Sequence, residues 1–293
     1  MSNLPIALCE ALSELGTAIT PQLIQQTSLL LAPTAARPAP SFCSVERDLA
    51  YGPHERHRLD VFVPVAAGQS RPILVYVHGG GFTMGSKGGP DDPFFNNFGA
   101  WAARAGFVGA TLNYRLAPSH QWPAGPEDLD AAVTWLRDHA AQFGGDADKI
   151  VLVGQSAGAV HVAGYLTLAK HDGRAPLAAA ILLSGIFDLE RHQGGLPSEV
   201  LYYGDDPARR AEQSTLAGLF QQRVPCLFTV SELDPPTFQR QAAHLVEHCI
   251  AVHDRLPRLI YLSGHNHLTP GYSLGGADSA FSELLERFVR QMT

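Results

Sequence analysis

Short apolar runs alternate with longer amphipathic stretches along most of the chain. The apolar runs are rich in Val, Ile and Leu, and they lie at residues 59–63, 73–78, 108–114, 150–153, 178–183, 226–230 and 259–262. Continuous apolar runs of this length are typical of strands that are covered on both faces of a sheet. We therefore predict a strand at each of these positions.

The stretches between the apolar runs have the spacing of amphipathic helices. Helices are predicted at residues 94–105, 126–142, 157–170, 207–222, 237–253 and 277–291. Strands that alternate with helices indicate an α/β fold, in which a mostly parallel central sheet is flanked by helices on both sides. The segment 187–224 is longer than a plain crossover needs, so we interpret part of it as an insertion over the sheet edge.

The first 50 residues have a different pattern of apolar positions. Residues 5–15 and 21–31 carry spaced apolar positions, and each stretch has a proline near its start, which is typical of helix N-termini. Pro33, Pro38 and Pro40 then interrupt the pattern. We predict a small helical cap segment over residues 1–50 and one α/β domain over residues 51–293, in which residues 187–224 are a candidate cap insertion.

Composition and charge exclude several classes of protein. The 293 residues carry a formal net charge of −7 without a block of like charge, so a nucleic-acid groove or a polybasic membrane surface is not expected. The apolar runs are too short to cross a bilayer. The start lacks a basic segment and carries Glu10 and Glu14, so no secretory signal is expected. The 4 cysteines form no C-x-x-C pair, which favours free thiols in the cytoplasm.

The sequence GQSAG at residues 154–158 is the strongest chemical signal. It follows a predicted strand and opens a predicted helix, which is the context of a nucleophile elbow. In such a turn, side chains at the flanking glycine positions would collide with neighbouring backbone. The pattern predicts that Ser156 is a nucleophile. The alternative is a strand-to-helix turn with an inert serine.

A second glycine motif, HGGGF at residues 78–82, directly follows the apolar strand 73–78. A tetrahedral intermediate carries a negative oxygen that must meet preorganised N–H donors. We expect the amides of Gly80 and Gly81 to supply these donors together with the amide of Ala157. His78 is interpreted as an anchor of the loop and not as a proton-transfer group. The order of residues fits neither a dinucleotide-binding fingerprint nor a Walker loop.

Together these segments resemble the α/β-hydrolases, and within them the esterases similar to hormone-sensitive lipase. The matching segments are HGGGF at 78–82, NYRLAP at 113–118, WPA at 122–124, FGGD at 143–146 and the serine elbow. The resemblance runs from Leu59 to about Tyr165 and weakens towards the C-terminus. Two positions depart from the family pattern: Gln155 replaces the usual Asp or Glu, and Ala159 replaces a further Gly.

The resemblance implies that an acid and a histidine follow the nucleophile in that order. Asp234 occupies the place of the family's Asp-Pro motif, and Glu232 is the alternative acid. His267 lies three positions beyond Gly264, as the family's histidine does, and is preferred over His265, which is interpreted as a loop or pocket residue. In this scheme the imidazole takes the Ser156 proton, and Asp234 holds the ring in the correct tautomer.

Several other groups have simpler explanations than a role in catalysis. His244, Glu247 and His248 match the zinc pattern H-x-x-E-H, but no third ligand is apparent, so we expect no metal. Arg115 and Glu127 are interpreted as a structural ion pair. Phe82, Trp122 and Phe187 are candidates for an acyl pocket, although aromatic residues more often belong to a core.

The resemblance implies a serine carboxylester hydrolase that needs no cofactor and takes short- to medium-chain acyl esters under a helical cap. An amidase or arylformamidase, a lactonase and a carbamate hydrolase would use the same residues, so they remain open. A non-catalytic binding protein on this fold is the alternative from a different class. The expected partner is a small ester, and the expected oligomeric state is a monomer or a homodimer.

Overall fold

The computed structural model describes residues 3–66, 68–168, 177–192 and 196–293. Its centre is an eight-stranded sheet in the order β1-β2-β4-β3-β5-β6-β7-β8. The strands are β1 (Cys43–Ala50), β2 (Arg58–Pro64), β3 (Arg71–Val77), β4 (Val108–Leu112), β5 (Gly145–Gln155), β6 (Ala179–Leu183), β7 (Cys226–Leu233) and β8 (Leu259–Asn266). The pairs β1–β2 and β2–β4 are antiparallel, and the remaining pairs are parallel. This topology confirms the predicted α/β sheet.

Helices occupy both faces of the sheet and its carboxyl end. They are α1 (Ile6–Glu14), α2 (Pro21–Leu31), α3 (Asn96–Arg104), α4 (Ala124–His139), α5 (Ala157–Leu168), α6 (Pro197–Tyr203), α7 (Pro207–Glu212), α8 (Leu216–Gln221), α9 (Pro236–His253), α10 (Thr269–Tyr272) and α11 (Ser279–Met292). The helix predicted over 207–222 is divided into α7 and α8, and α6 and α10 were not predicted. Residues 169–170 of the predicted helix 157–170, and residues 193–195 of the candidate insertion, lie outside the described residues.

Strand β1 corrects the predicted boundary at residue 50. It pairs with β2, from Cys43 opposite Pro64 to Ala50 opposite Arg58, so it belongs to the central sheet. Its sequence, CSVERDLA, has only one buried residue, Cys43, and alternates half-buried with exposed positions. An edge strand is covered less than a central one, so it lacks the continuous apolar run by which the other strands were predicted.

The two N-terminal helices pack at the carboxyl end of the last strand. Helix α1 contacts β8, and α2 contacts α10. Leu12 of α1 and Leu23 and Leu31 of α2 are buried. A buried hydrogen bond also joins the side chains of Asn266 and Thr27 at 2.8 Å. The N-terminal segment is therefore packed against the β8 end that carries the candidate histidines.

The core consists of two apolar layers, one on each face of the sheet. Val75 and Val77 contribute to the layer that includes residues of α4 and α5, while Leu74 and Tyr76 contribute to the layer under α3 and α11. Side chains on both faces of β3 are thus buried, which explains why its sequence is continuously apolar. Within the described ranges, no helix combines the length and apolar character required to span a bilayer.

Candidate active site

Ser156 lies at the junction of β5 and α5 with a backbone φ of +54°. The glycines around it allow very close backbone contacts. A Cβ on Gly154 would lie 2.4 Å from the Gly158 carbonyl oxygen, and a Cβ on Gly158 would lie 2.0 Å from the Val77 carbonyl oxygen. These contacts confirm the steric reason for both glycines. A left-handed φ at a non-glycine residue is strained, which is typical of functional turns.

The glycine loop after β3 lies directly against this turn. A Cβ on Gly79 would be 3.2 Å from Ser156 Cβ. Gly80 and Gly81 have φ values of +123° and +55°, which favour glycine. Among the backbone hydrogen bonds of the described residues, none uses the amide of Gly80, Gly81 or Ala157 as a donor. The loop therefore leaves N–H groups beside the serine without an internal acceptor.

His78 holds the start of this loop from inside the protein. Its imidazole is buried, donates from Nδ1 to the Gly79 carbonyl at 2.6 Å, and stacks on Tyr114 with ring centroids 4.3 Å apart. The Tyr114 hydroxyl donates to the His78 carbonyl at 2.8 Å. Burial lowers the pKa of His78 to about 4. A neutral, doubly anchored imidazole fits the structural role expected for this residue.

His267 and Asp234 form a buried pair. Asp234 accepts a hydrogen bond from His267 Nδ1 at 2.6 Å through one carboxylate oxygen. Its other oxygen accepts hydrogen bonds from the Ser184 hydroxyl at 2.6 Å and the Ser231 amide at 2.7 Å. The Nε2 atom of His267 is buried and has no hydrogen-bond partner among the described residues. This arrangement holds the tautomer in which Nε2 accepts a proton.

Gln155 joins the serine turn to the histidine loop. Its side-chain amide donates to the carbonyl oxygens of His267 at 2.7 Å and Leu268 at 3.3 Å, and its oxygen accepts the hydroxyl of Tyr76. A carboxylate could not make the two donor contacts. The sequence departure at this position therefore has a structural consequence: a neutral amide fixes the backbone of His267 next to the residue preceding Ser156.

A second contact connects the same elements through β6. The Ser156 amide donates to the Leu183 carbonyl at 2.8 Å, and the following residue, Ser184, contacts Asp234. The serine turn and the His267–Asp234 pair are thus tied together on two sides. The serine turn, the glycine loop and the His267–Asp234 pair thus lie next to one another at the carboxyl end of the sheet, although no hydrogen bond joins Ser156 to His267 Nε2.

The two alternative residues have other partners. Glu232 accepts hydrogen bonds from the Ser263 hydroxyl at 2.6 Å and the Gly264 amide at 2.7 Å, which lower its pKa. His265 is completely buried and contacts Asp278 at 3.0 Å through Nε2. The interpretation of His265 as a loop or pocket residue was wrong, because β8 extends to Asn266 and carries this ring into the interior.

An aromatic cluster covers the glycine loop and the histidine. Phe82 stacks on Tyr202 with centroids 4.4 Å apart, and Phe238 lies 4.3 Å from the His267 ring. Trp122 packs against the same cluster. Phe187 does not, because its side chain is buried in the main core. The residues of this cluster that the sequence did not single out are Ile19, Ala117, Val160, Ile186, Leu189, Tyr202, Tyr203 and Phe238.

The position of Phe187 corrects a prediction. Its ring lies 5.9 Å from that of Phe228 within the core layer under α8, whereas the preceding Ile186 joins the aromatic cluster. Successive side chains of an extended segment point in opposite directions, so Ile186 faces the aromatic cluster while the next residue, Phe187, faces the core. Tyr202 and Tyr203 were missed because α6 is a short helix with no marked apolar period in the sequence.

Two of the three residues of the zinc pattern contact other partners. Glu247 contacts Arg191 at 2.6 Å, and His244 contacts Asp188 at 3.2 Å. Across the described ranges, His, Cys, Asp and Glu side chains form no group of three or more suited to a metal ion. The expected contact of Arg115 with Glu127 is present at 3.0 Å.

The structure adds a stronger partner for Arg115. The buried carboxylate of Asp128 accepts from Arg115 Nε at 2.7 Å and contacts His57 at 3.0 Å.

Several known proteins are similar in sequence. Residues 59–190 match the BD-FAE family model. Esterase LipQ of Mycobacterium tuberculosis is 27% identical over 72% of this chain and 52% of its own length. Carboxylesterase NlhH of the same species is 36% identical over 47% of this chain and 42% of its own length. Phenmedipham hydrolase of Pseudarthrobacter oxydans is 39% identical over 46% of this chain and 27% of its own length. The matches thus span about half or less of each relative.

Solved structures match over nearly the whole chain. An esterase from the bacterial hormone-sensitive lipase family has a TM-score of 0.67 at 21% identity, with 98% of this chain and 96% of that chain covered. An esterase from the archaeon Pyrobaculum calidifontis has a TM-score of 0.65 at 22% identity, with 99% and 97% covered. At these identities the likeness establishes the shared fold.

We predict that Gln155→Glu impairs turnover more than substrate binding. The new carboxylate would face two carbonyl oxygens without a proton to donate, so it would displace the backbone of His267. Loss of the buried hydrogen bonds, together with the unpaired charge, is expected to lower kcat by a factor of about 10 to 100. The measurement is kcat and KM on a p-nitrophenyl ester.

Gln222→Glu is the matched control, because Gln222 also donates to two carbonyl oxygens, those of Leu219 at 3.0 Å and Val224 at 3.1 Å, away from the site. This variant is expected to keep the wild-type kcat. Equal effects of the two substitutions would contradict the assignment of Gln155.

We also predict that acid weakens the fold through the buried imidazoles around the glycine loop. Burial lowers the pKa of His78 to about 4 and that of His161 to about 3. In the unfolded state an imidazole has a pKa of about 6.5, so below that pH the unfolded state binds more protons than the folded state. The free energy of unfolding therefore falls as the pH is lowered from about 6.5 towards 4, by about 1.4 kcal/mol per unit for each ring.

Urea denaturation between about pH 7 and pH 5 measures this slope. His161→Gln is expected to reduce the slope by the contribution of one imidazole. An unchanged slope in His161→Gln would show that this ring does not titrate as its burial requires.

Proposed function

We propose that the chain is a serine carboxylester hydrolase of the α/β-hydrolase fold, because it is similar to the BD-FAE family, to esterase LipQ and to an esterase of the hormone-sensitive lipase family. The observation that carries this proposal is the buried His267–Asp234 pair. The Nε2 atom of His267 has no hydrogen-bond partner among the described residues, and Gln155 joins the His267 backbone to the serine turn. The proposed catalytic residues are Ser156, His267 and Asp234. The proposed oxyanion donors are the amides of Gly80, Gly81 and Ala157.

In the first half of the reaction, Ser156 Oγ attacks the ester carbonyl while His267 Nε2 takes the hydroxyl proton. The resulting imidazolium is stabilised by Asp234, which is itself held by Ser184 and Ser231. The carbonyl oxygen becomes negative and accepts hydrogen bonds from the loop amides. Collapse of this intermediate breaks the bond to the alcohol, which leaves with the proton from His267.

In the second half, water hydrolyses the acyl group on Ser156. His267 takes a proton from the water, which attacks the acyl carbonyl and forms a second tetrahedral intermediate in the same amide cradle. The Ser156 oxygen then leaves and regains its proton from the imidazole. The carboxylic acid product is released, and the enzyme returns to its starting state without a cofactor.

We propose short- to medium-chain acyl esters as substrates, and the aromatic cluster supports an apolar acyl group. Phe82, Trp122 and Tyr202 pack around the glycine loop, and these apolar neighbours favour an apolar acyl group over a charged one. Ile19 of the N-terminal segment packs against the same cluster, so we propose that residues from both candidate cap segments enclose the substrate. Monomer or homodimer remains the predicted oligomeric state, and the 4 free thiols support the cytoplasm as its location.

Carbamate hydrolysis is the second candidate, because phenmedipham hydrolase is similar to this chain. A carbamate carbonyl would use the same nucleophile and oxyanion donors, so the geometry around Ser156 serves both reactions. Parallel assays on a p-nitrophenyl ester and an aryl carbamate distinguish them through kcat/KM. We expect the ester to be the better substrate.

We predict a burst of p-nitrophenol when the protein meets p-nitrophenyl esters of graded chain length, because acylation precedes hydrolysis of the acyl-enzyme. Ser156→Ala is expected to lose the burst and nearly all turnover. Wild-type turnover in Ser156→Ala would overturn the nucleophile assignment.

The two histidines give a separate prediction. His267→Ala is expected to lower kcat by a factor of about 10³ or more, since it removes the general base. His265→Ala is expected to retain a good part of the activity per folded molecule and to lower the melting temperature, because it leaves the buried Asp278 carboxylate with one fewer partner. The reverse pattern of kcat values would make His265 the base.

A further inference from the structure

One face of helix α6 packs along the glycine loop. Tyr202 stacks on Phe82 with an interplanar angle of 4°. Ser198 lies beside Gly81, the loop residue that precedes Phe82. A Cβ on Gly81 would be 2.8 Å from Ser198 Oγ. Positions 198 and 202 are one helical turn apart and share a face. Two consecutive residues of the loop thus contact two residues on the same face of α6.

The position of Ser198 is fixed by the contacts of its helix. The neighbouring Glu199 is buried and caps the start of α6, and its carboxylate contacts His192 at 2.6 Å. At the other end of α6, the amide of Trp122 donates to the Tyr202 carbonyl at 3.0 Å. The hydroxyl of Ser198 is therefore held beside Gly81 by a helix that is anchored at both ends.

The hydroxyl of Ser198 is not used by the fold. Ser198 is half-buried, and its Oγ makes no hydrogen bond within the described part of the chain. Ser214, between α7 and α8, differs, because its hydroxyl donates to the Phe187 carbonyl at 2.9 Å and accepts from the Leu189 amide at 3.2 Å. A fixed polar group beside the candidate oxyanion loop is thus left without an internal partner.

We propose that Ser198 is a further catalytic residue, whose hydroxyl donates a hydrogen bond to the substrate carbonyl oxygen beside the amide of Gly81. The inference rests on the proposed ester hydrolysis at Ser156. A donor held in place before the reaction stabilises negative charge without reorganisation, and its effect is greater in a partly buried site than in water. Helix α6 would then complete the oxyanion hole as well as cover it.

Ser198→Ala tests this proposal. We expect kcat/KM on a p-nitrophenyl ester to fall about tenfold, which corresponds to one neutral hydrogen bond made in the transition state. The affinity for a boronic acid, which forms a tetrahedral adduct with the nucleophilic serine, is expected to fall by a similar factor. A residue with a merely structural role would not weaken this adduct in proportion to kcat/KM.

Val200→Ala is the control, because this exposed residue of the same helix does not belong to the aromatic cluster. It is expected to match the wild type in both measurements, and melting temperatures verify that both variants are folded. Full activity in Ser198→Ala, an unchanged boronic acid affinity, or equal losses in Val200→Ala would overturn the proposal. Absence of ester turnover in the wild type, or its persistence in Ser156→Ala, would instead refute the proposed function.

Discussion

The contact between the start of α5 and the end of β3 is the constraint on which the whole site depends. No side chain fits at Gly158, where a Cβ would meet the Val77 carbonyl oxygen at 2.0 Å. The helix can therefore begin immediately after β5, and Ser156 takes a left-handed conformation between them. The same close approach places the glycine loop that follows β3 beside the serine, so one steric fit positions two parts of the proposed machinery.

Buried hydrogen bonds then position the histidine relative to this turn. Gln155 holds the backbone of His267, and Asp234 holds its ring. Two residues earlier, His265 pairs with Asp278 in the interior. A buried carboxylate is costly without partners, and each of these has several, so both pairs are fixed in place. The end of β8 thus carries one imidazole for the proposed chemistry and another that stabilises the fold.

The cover of the site comes from segments distant in sequence. The N-terminal segment contributes Ile19, α6 contributes Tyr202 and Tyr203, and the start of α9 contributes Phe238. These residues pack with Phe82 of the glycine loop, so the surface proposed to meet an acyl group is continuous with the loop proposed to bind its carbonyl oxygen. Substrate preference and oxyanion stabilisation are therefore expected to change together when α6 is altered.

Local sequence determined the central strands, the serine turn and the glycine loop, because apolar runs and glycine spacing reflect interactions among near neighbours. It also pointed to Asp234 and His267 through resemblance. Strand β1 escaped prediction because an edge strand is half-exposed, and Phe187 was misplaced because one residue separates pocket from core. Only the tertiary structure decided which carboxylate meets each histidine and which hydroxyl faces Gly81. Those contacts depend on how β7, β8, α6 and α11 pack, and each joins residues whose proximity no local pattern encodes.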